Sequence, residues 1–285
     1  MREHYDIQKV FDDIFPPEYS RRLICMFRAF VDASQPKDQS IICAAGFVGE
    51  LDRWSKVQHA WREVRRKSGI EYFHMTDFMS RRAKPYRDWT EKKRQAVIGR
   101  LTSLVNNHLL FGVAVVVNIV DFAKLIEDQQ LRCGNNAYAL CATQCIGLAS
   151  SEMKKRGVDE RILWVFHAGD KGQPWFTETM GSFCTHLEVA RRVLGVFSVM
   201  PGTQDEFPGL DFADFLAWQT VQHALRMPGH ERIPRTGYLE LIQCDIYNRY
   251  MRGDDPKDWG SSLAPEQEKE IMSVFEKRRR RLSSS

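Results

Sequence analysis

Five aspartates and two histidines stand at positions from which they can do chemistry. Asp32 closes an apolar stretch, Leu23 to Val31, that reads as a strand, and Asp170 follows a second such stretch, Arg161 to Phe166. Acidic groups just outside strand ends line the crevice of an open sheet. Asp211 and Asp214 lie three apart in GLDFADFLAWQ, at the start of a helical pattern, and so share one helix face among apolar neighbours. Asp211 is either a first-turn partner of the helix dipole or a site acid. Asp214 is costly to bury unless something positive meets it. His74 and Asp77 form an oriented acid–base pair, a metal ligand with the acid that orients it, or a packed loop, and His167 is either a base beside Asp170 or a polar strand terminus.

Carboxylates gathered from several elements suit a hard divalent cation. Mg²⁺ and Mn²⁺ favour oxygen ligands and keep waters, which leaves room for a phosphodiester. Such ions activate an attacking water and stabilise the leaving oxygen. Asp32, Asp170, Asp211 and Asp214 are the candidate ligands, and Asp32, His74, Asp170 and Asp214 the candidate catalytic residues. No G-x-S-x-G, P-loop or dinucleotide G-x-G-x-x-G is present, so acyl transfer and nucleotide-cofactor chemistry lose their usual anchors.

The elements that must position these groups follow from periodicity. Pro16-Pro17 ends an amphipathic opening helix. The first strand and Ser40 to Val48 form a hairpin across a polar turn. Leu51, Trp54, Val57, Trp61 and Val64 make one apolar stripe on a helix over Glu50 to Lys67. Residues 71 to 89 read as irregular, Thr90 caps the next helix, and Phe111 to Ile119 is a β-branched run covered on both faces. Asn135 or Asn136 starts a helix through Lys155, Gly195 to Met200 is a fifth strand, and Gly209 to Arg226 a further helix. Strands first paired, then alternating with helices, predict an α/β fold with a mixed five-stranded sheet. The expected organisation is a helical lead over 1–21, a main domain over 22–227 with an inserted helical segment near 70–108, and a helical extension over 228–285 with a basic tail.

The five blocks FVDAS (Phe30 to Ser34), AAGFVG (Ala44 to Gly49), EYFHMTDF (Glu71 to Phe78), HAGDKGQ (His167 to Gln173) and GLDFADFLAW (Gly209 to Trp218) resemble, in order and spacing over roughly residues 22 to 226, the bacterial domain-of-unknown-function family 3800. The resemblance implies a ribonuclease-H-like fold and a metal-dependent nuclease site. Carried over by residue, it assigns Asp32, His74, Asp170 and Asp214. Three positions depart from the family pattern: Ala33 where many members have Glu, Asp211 where Gln is frequent, and His167 where acids are common.

Net charge is +4, but the run Lys277 to Arg281 alone supplies five positive charges, so the rest is not globally basic. Arg62 to Arg94 holds eleven Lys or Arg against five Asp or Glu. That segment either faces phosphates or is a set of solvated helix faces. Arg81, Arg82 and Lys84 in it, with Lys171 beside Asp170, are the candidate RNA or DNA contacts. The expected function is a Mg²⁺- or Mn²⁺-dependent nuclease. The alternatives are a catalytically silent binding or regulatory module and a hydrolase of small phosphate esters. Seven scattered cysteines without a C-x-x-C pair argue against a disulfide framework or zinc ribbon. No apolar run reaches the length of a membrane span and no signal-peptide core opens the chain, so the expectation is a cytoplasmic protein with no membrane partner.

Overall fold

The hairpin and the alternating strands merge into one mixed sheet. In the computed structural model, which describes residues 27–129, 136–186, 193–225 and 245–251, β1 (Phe27–Ser34) pairs antiparallel with β2 (Ile41–Glu50), from Phe27 opposite Glu50 to Ser34 opposite Cys43. β2 pairs antiparallel with β3 (Phe111–Asn118), whereas β4 (Ile162–His167) runs parallel to β1 and β5 (Val196–Gly202) parallel to β4. The order is β5-β4-β1-β2-β3-β6.

Among the described residues the expected five strands are six. β6 (Ile246–Met251) pairs parallel with β3 from Gly112 opposite Ile246 to Val117 opposite Met251, inside the stretch expected to be a helical extension. Buried on seven of its eight residues, β3 would otherwise expose a row of unpaired backbone groups, and IYNRYM has the β-branched and aromatic character to cover that edge. The helical lead, the rest of the extension and the basic tail at 277–281 lie outside the described residues.

Alternation along the strands assigns each face. Phe27, Ala29 and Val31 of β1, with Ile162, Trp164 and Phe166 of β4, meet α5 (Ala137–Lys155) and α6 (Gln173–His186). Phe30 and Val165 meet the other layer: α1 (Leu51–Ser68), α2 (Met75–Ser80), α3 (Glu91–His108) and α7 (Gly209–Ala224). The short α4 (Ile119–Gln129) follows β3. Both faces are covered, as a sheet containing buried parallel strands requires. The α1 stripe buries Trp54, Val57 and Trp61, and Trp54 Nε1 donates to the Arg28 carbonyl at 3.0 Å, locking the helix to β1. The segment expected to be irregular contains α2 and a 3₁₀ turn at Tyr86–Asp88. Thr90 caps α3 by accepting from Lys93 N at 3.3 Å, and Asn136 caps α5 by accepting from Ala139 N at 3.2 Å. At the start of α7, Gly209 packs on the Phe30 ring so closely that a Cβ would enter it, which seats the aspartate-bearing turn against β1.

Among the described residues no helix is long and apolar enough to cross a membrane. Cys43, Cys141 and Cys145 are buried free thiols; burial pushes the Cys43 and Cys145 thiols upward, and Cys145 Sγ lies 3.3 Å from the Ala44 carbonyl. These are packing residues.

Candidate metal centre

Asp32 and His167 each follow the last paired residues of β1 and β4, Val31 and Phe166, and alternation points both to the α7 face. Parallel pairing puts them side by side at the carboxyl ends of two adjacent strands. The chain then turns through Ala168 and Gly169, with Ala168 N donating to the Gly202 carbonyl at 2.8 Å, and brings Asp170 back over the strand end. His167 Nδ1 lies 3.4 Å from Asp32 Oδ1 and 3.8 Å from Asp170 Oδ1. One ligand atom from each of the three residues falls within 4.8 Å of the others.

Burial shapes the electrostatics. Asp32 is 4% exposed, and burial first, then the charges of Asp170 and Asp214, hold its carboxyl well above the usual range, against the hydrogen bond that Oδ1 accepts from Ala33 N at 2.7 Å. The nearby Asp170 carboxylate, at 3.8 Å too far for a hydrogen bond, raises His167 above the ordinary histidine value, although burial opposes this. Several polar atoms here are fully buried without a hydrogen-bond partner: His167 Nδ1, Asp170 Oδ2 and the Tyr138 hydroxyl. Orphaned buried groups are costly, and unpartnered atoms on two members of one cluster, His167 and Asp170, mark a place for an ion or ordered water. The donor set therefore fits a divalent cation.

The other expected site residues fall around this cluster. Asp214 interacts electrostatically with Asp32, Asp170 and His167, and is pushed up to about 6, chiefly by burial, with His74 and the Met75 amide opposing. Its Oδ2 is committed to Met75 N at 2.6 Å, so it also anchors the start of α2. His74 is the residue before that helix, with a buried Nδ1 lacking a partner. Asp211, like Asp214, is not among the three residues whose ligand atoms come within 4.8 Å of one another. Asp211 Oδ2 accepts from Trp61 Nε1 at 2.7 Å and from Arg65 Nη1 at 3.3 Å, a buried contact between α7 and α1, while its buried Oδ1 has no partner.

Lys171, Arg82 and Lys84 are exposed, as is Arg81, which is paired with Glu91 at 2.6 Å. Two basic residues of the lopsided segment are buried: Arg65 on Asp211, and Arg94 over the Phe78 ring at 4.2 Å while donating to the Phe78 carbonyl.

Tyr138 and the bridging role of Asn136 were not readable from the sequence. Asn136 Nδ2 donates to the Gly172 carbonyl at 3.1 Å, tying the start of α5 to the Asp170 loop. Only its capping position was visible, as an Asn before a helical pattern.

No family model matches the chain, no curated protein matches it, and no solved structure matches it.

Proposed function

We propose that the chain is a divalent-cation-dependent phosphodiester hydrolase acting on RNA or DNA, built on a ribonuclease-H-like domain. The observation that carries the reading is the convergence of Asp32, His167 and Asp170 at neighbouring strand ends, with buried polar atoms left unpartnered around them. The ribonuclease-H-like assignment draws support from the strand order β3-β2-β1-β4-β5, in which β2 alone runs against its neighbours.

Asp32 and Asp170 would hold Mg²⁺ or Mn²⁺ through their carboxylates, with Asp214 alongside. When bound, the ion would polarise a phosphoryl oxygen and lower the pKa of an attacking water. Lys171, exposed next to Asp170, meets a phosphate at the rim, and Arg82 and Lys84 extend that contact along the backbone of the substrate. His74, whose charge favours ionised Asp214, supplies the proton-transfer or substrate-positioning group on the α2 side. The buried Asp211–Arg65 pair fixes α7 against α1 and so sets where Asp214 stands.

Purified protein should cleave labelled single-stranded or duplex oligonucleotides with Mn²⁺ or Mg²⁺, lose all cleavage in EDTA, and lose at least about 100-fold of it in Asp32→Asn. Cleavage that survives EDTA would refute the reading. A second reading, a catalytically silent nucleic-acid-binding or regulatory module, is favoured by the commitment of Asp211 to Trp61 and Arg65 and of one Asp214 oxygen to Met75. It predicts salt-dependent nucleic-acid binding with no cleavage under any cation.

A further inference from the structure

The donors at the ends of β1 and β4 are not all oxygens. Resting on the reading that this cluster holds a cation, we propose that His167 is itself a ligand through Nδ1, and that the mixed Asp32–His167–Asp170 set selects Co²⁺ and Zn²⁺, then Mn²⁺, over Mg²⁺.

Spacing is the first support. Nδ1 stands 3.4 Å from Asp32 Oδ1 and 3.8 Å from Asp170 Oδ1, both longer than a good N–H···O bond of about 2.7–3.2 Å. Two donors each bonded at about 2.0–2.1 Å to one tetrahedral ion sit about 3.3 Å apart. The imidazole nitrogen thus lies near ligand spacing from Asp32 and, at 3.8 Å, somewhat beyond it from Asp170, hydrogen-bonded to neither, and it has no other partner. A Cβ at Gly169 would stand 3.0 Å from His167 Cε1, so the ring is packed by the turn that follows it.

Tyr138 provides a second and independent observation. It reaches the same strand ends from the α5 side, is 1% exposed, and carries a hydroxyl with no hydrogen-bond partner. The acidic charges acting on it most are Asp170 and then Asp32. A buried phenol that feels the charge of both acids and has nothing to bond is available as a donor to an ordered water near the cluster.

The donor types decide which ion. Imidazole suits Zn²⁺, Co²⁺ and their neighbours, and affinity rises from Mn²⁺ toward the later first-row ions. Mg²⁺ demands near-octahedral oxygen coordination and sheds water reluctantly, so a nitrogen ligand penalises it. A ligating Nδ1 is also unavailable as a general base, which leaves proton transfer to His74 or to water.

The test titrates chelator-treated, full-length protein with Co²⁺, Zn²⁺, Mn²⁺ and Mg²⁺ in turn by calorimetry, and records the Co²⁺ absorption spectrum. Co²⁺ and Zn²⁺ should bind at least about 100-fold more tightly than Mg²⁺, with Mn²⁺ between. His167→Asp should weaken Co²⁺ at least about 10-fold, change its spectrum and narrow the gap to Mg²⁺. Equal wild-type affinities for Co²⁺ and Mg²⁺ would overturn the proposal without any variant. So would a Co²⁺ isotherm and spectrum unchanged in His167→Asp. If Mg²⁺ is preferred and oligonucleotides are still cleaved, this selectivity fails while the hydrolase reading stands. If Co²⁺ binds through His167 and nothing is cleaved with any ion, the reverse holds, and absence of all ion binding sinks both.

Discussion

Asp211 and Asp214 sit one turn apart on α7 and do different work. Asp211 is fully buried; burial pushes it up to about 7 against the opposing Arg65 guanidinium and Trp61 N–H, while Asp214 and Asp205 add repulsion. Its unfolded value is near 3.8, so between about pH 4 and about pH 7 the folded chain keeps a proton that the unfolded chain has released. The stability supplied by that retained proton is complete at the acidic end and is lost as pH rises through the window, at up to about 1.4 kcal/mol per pH unit. Asp211→Asn removes the titration. Its unfolding free energy, measured by urea denaturation across that range, should fall less steeply with pH than that of the wild type. Parallel slopes would show that Asp211 does not keep its proton. The spacing of the two aspartates was legible in the sequence, and so was their shared helix face. What each one meets was not, because Trp61 and Arg65 lie 150 and 146 residues away along the chain.

At the scale of elements, the β4–α6 turn delivers Asp170, and one side chain holds it. Asn136 caps α5 with its Oδ1 and reaches the Gly172 carbonyl with its Nδ2. Gly172 adopts φ 93°, and a Cβ there would run into the Asn136 amide. Gly172→Ala should therefore cost about 1–3 kcal/mol of stability and weaken Co²⁺ or Mn²⁺ binding, read by denaturation and calorimetry on the same sample. Wild-type stability and affinity in this variant would mean that the latch does not position Asp170. Helix starts marked by a capping residue, Thr90 and Asn136, were readable because the cap is a local interaction. So were the β-branched runs of β3 and β4. The partnership of β6 with β3 was not, because an edge strand is recruited by a neighbour that exists only once the sheet has formed. The α2 helix was hidden for a similar reason, since part of its N-terminal anchorage is the Asp214 carboxylate from a distant helix.

Across the whole molecule, a sheet covered on both faces brings residues more than a hundred positions apart to one end. Asp32, His167 and Asp170 meet at the carboxyl ends of β1 and β4, with Asp214 arriving from α7 above and Tyr138 from α5 below. The aspartates at the strand ends were visible from sequence because strands terminate in recognisable polar turns. The histidine beside them was read only as a base next to Asp170 or a polar strand terminus, because its closeness to Asp32 depends on the parallel pairing of β1 with β4. Charge is redistributed in the same way. The basic excess of Arg62 to Arg94 shrinks as a phosphate surface once Arg65 and Arg94 are buried and Arg81 is paired, which leaves Arg82, Lys84 and Arg87 among its exposed cations, with Lys171 exposed outside it. A single ion shared by the strand-end residues underlies every functional step proposed for the chain. Crystals grown or soaked with Mn²⁺ and measured at the manganese absorption edge test this most directly. One anomalous peak bonded to Asp32, His167 and Asp170 is the predicted result. Saturating Mn²⁺ that leaves the cluster without a peak, or a peak bonded only to residues elsewhere, would contradict it.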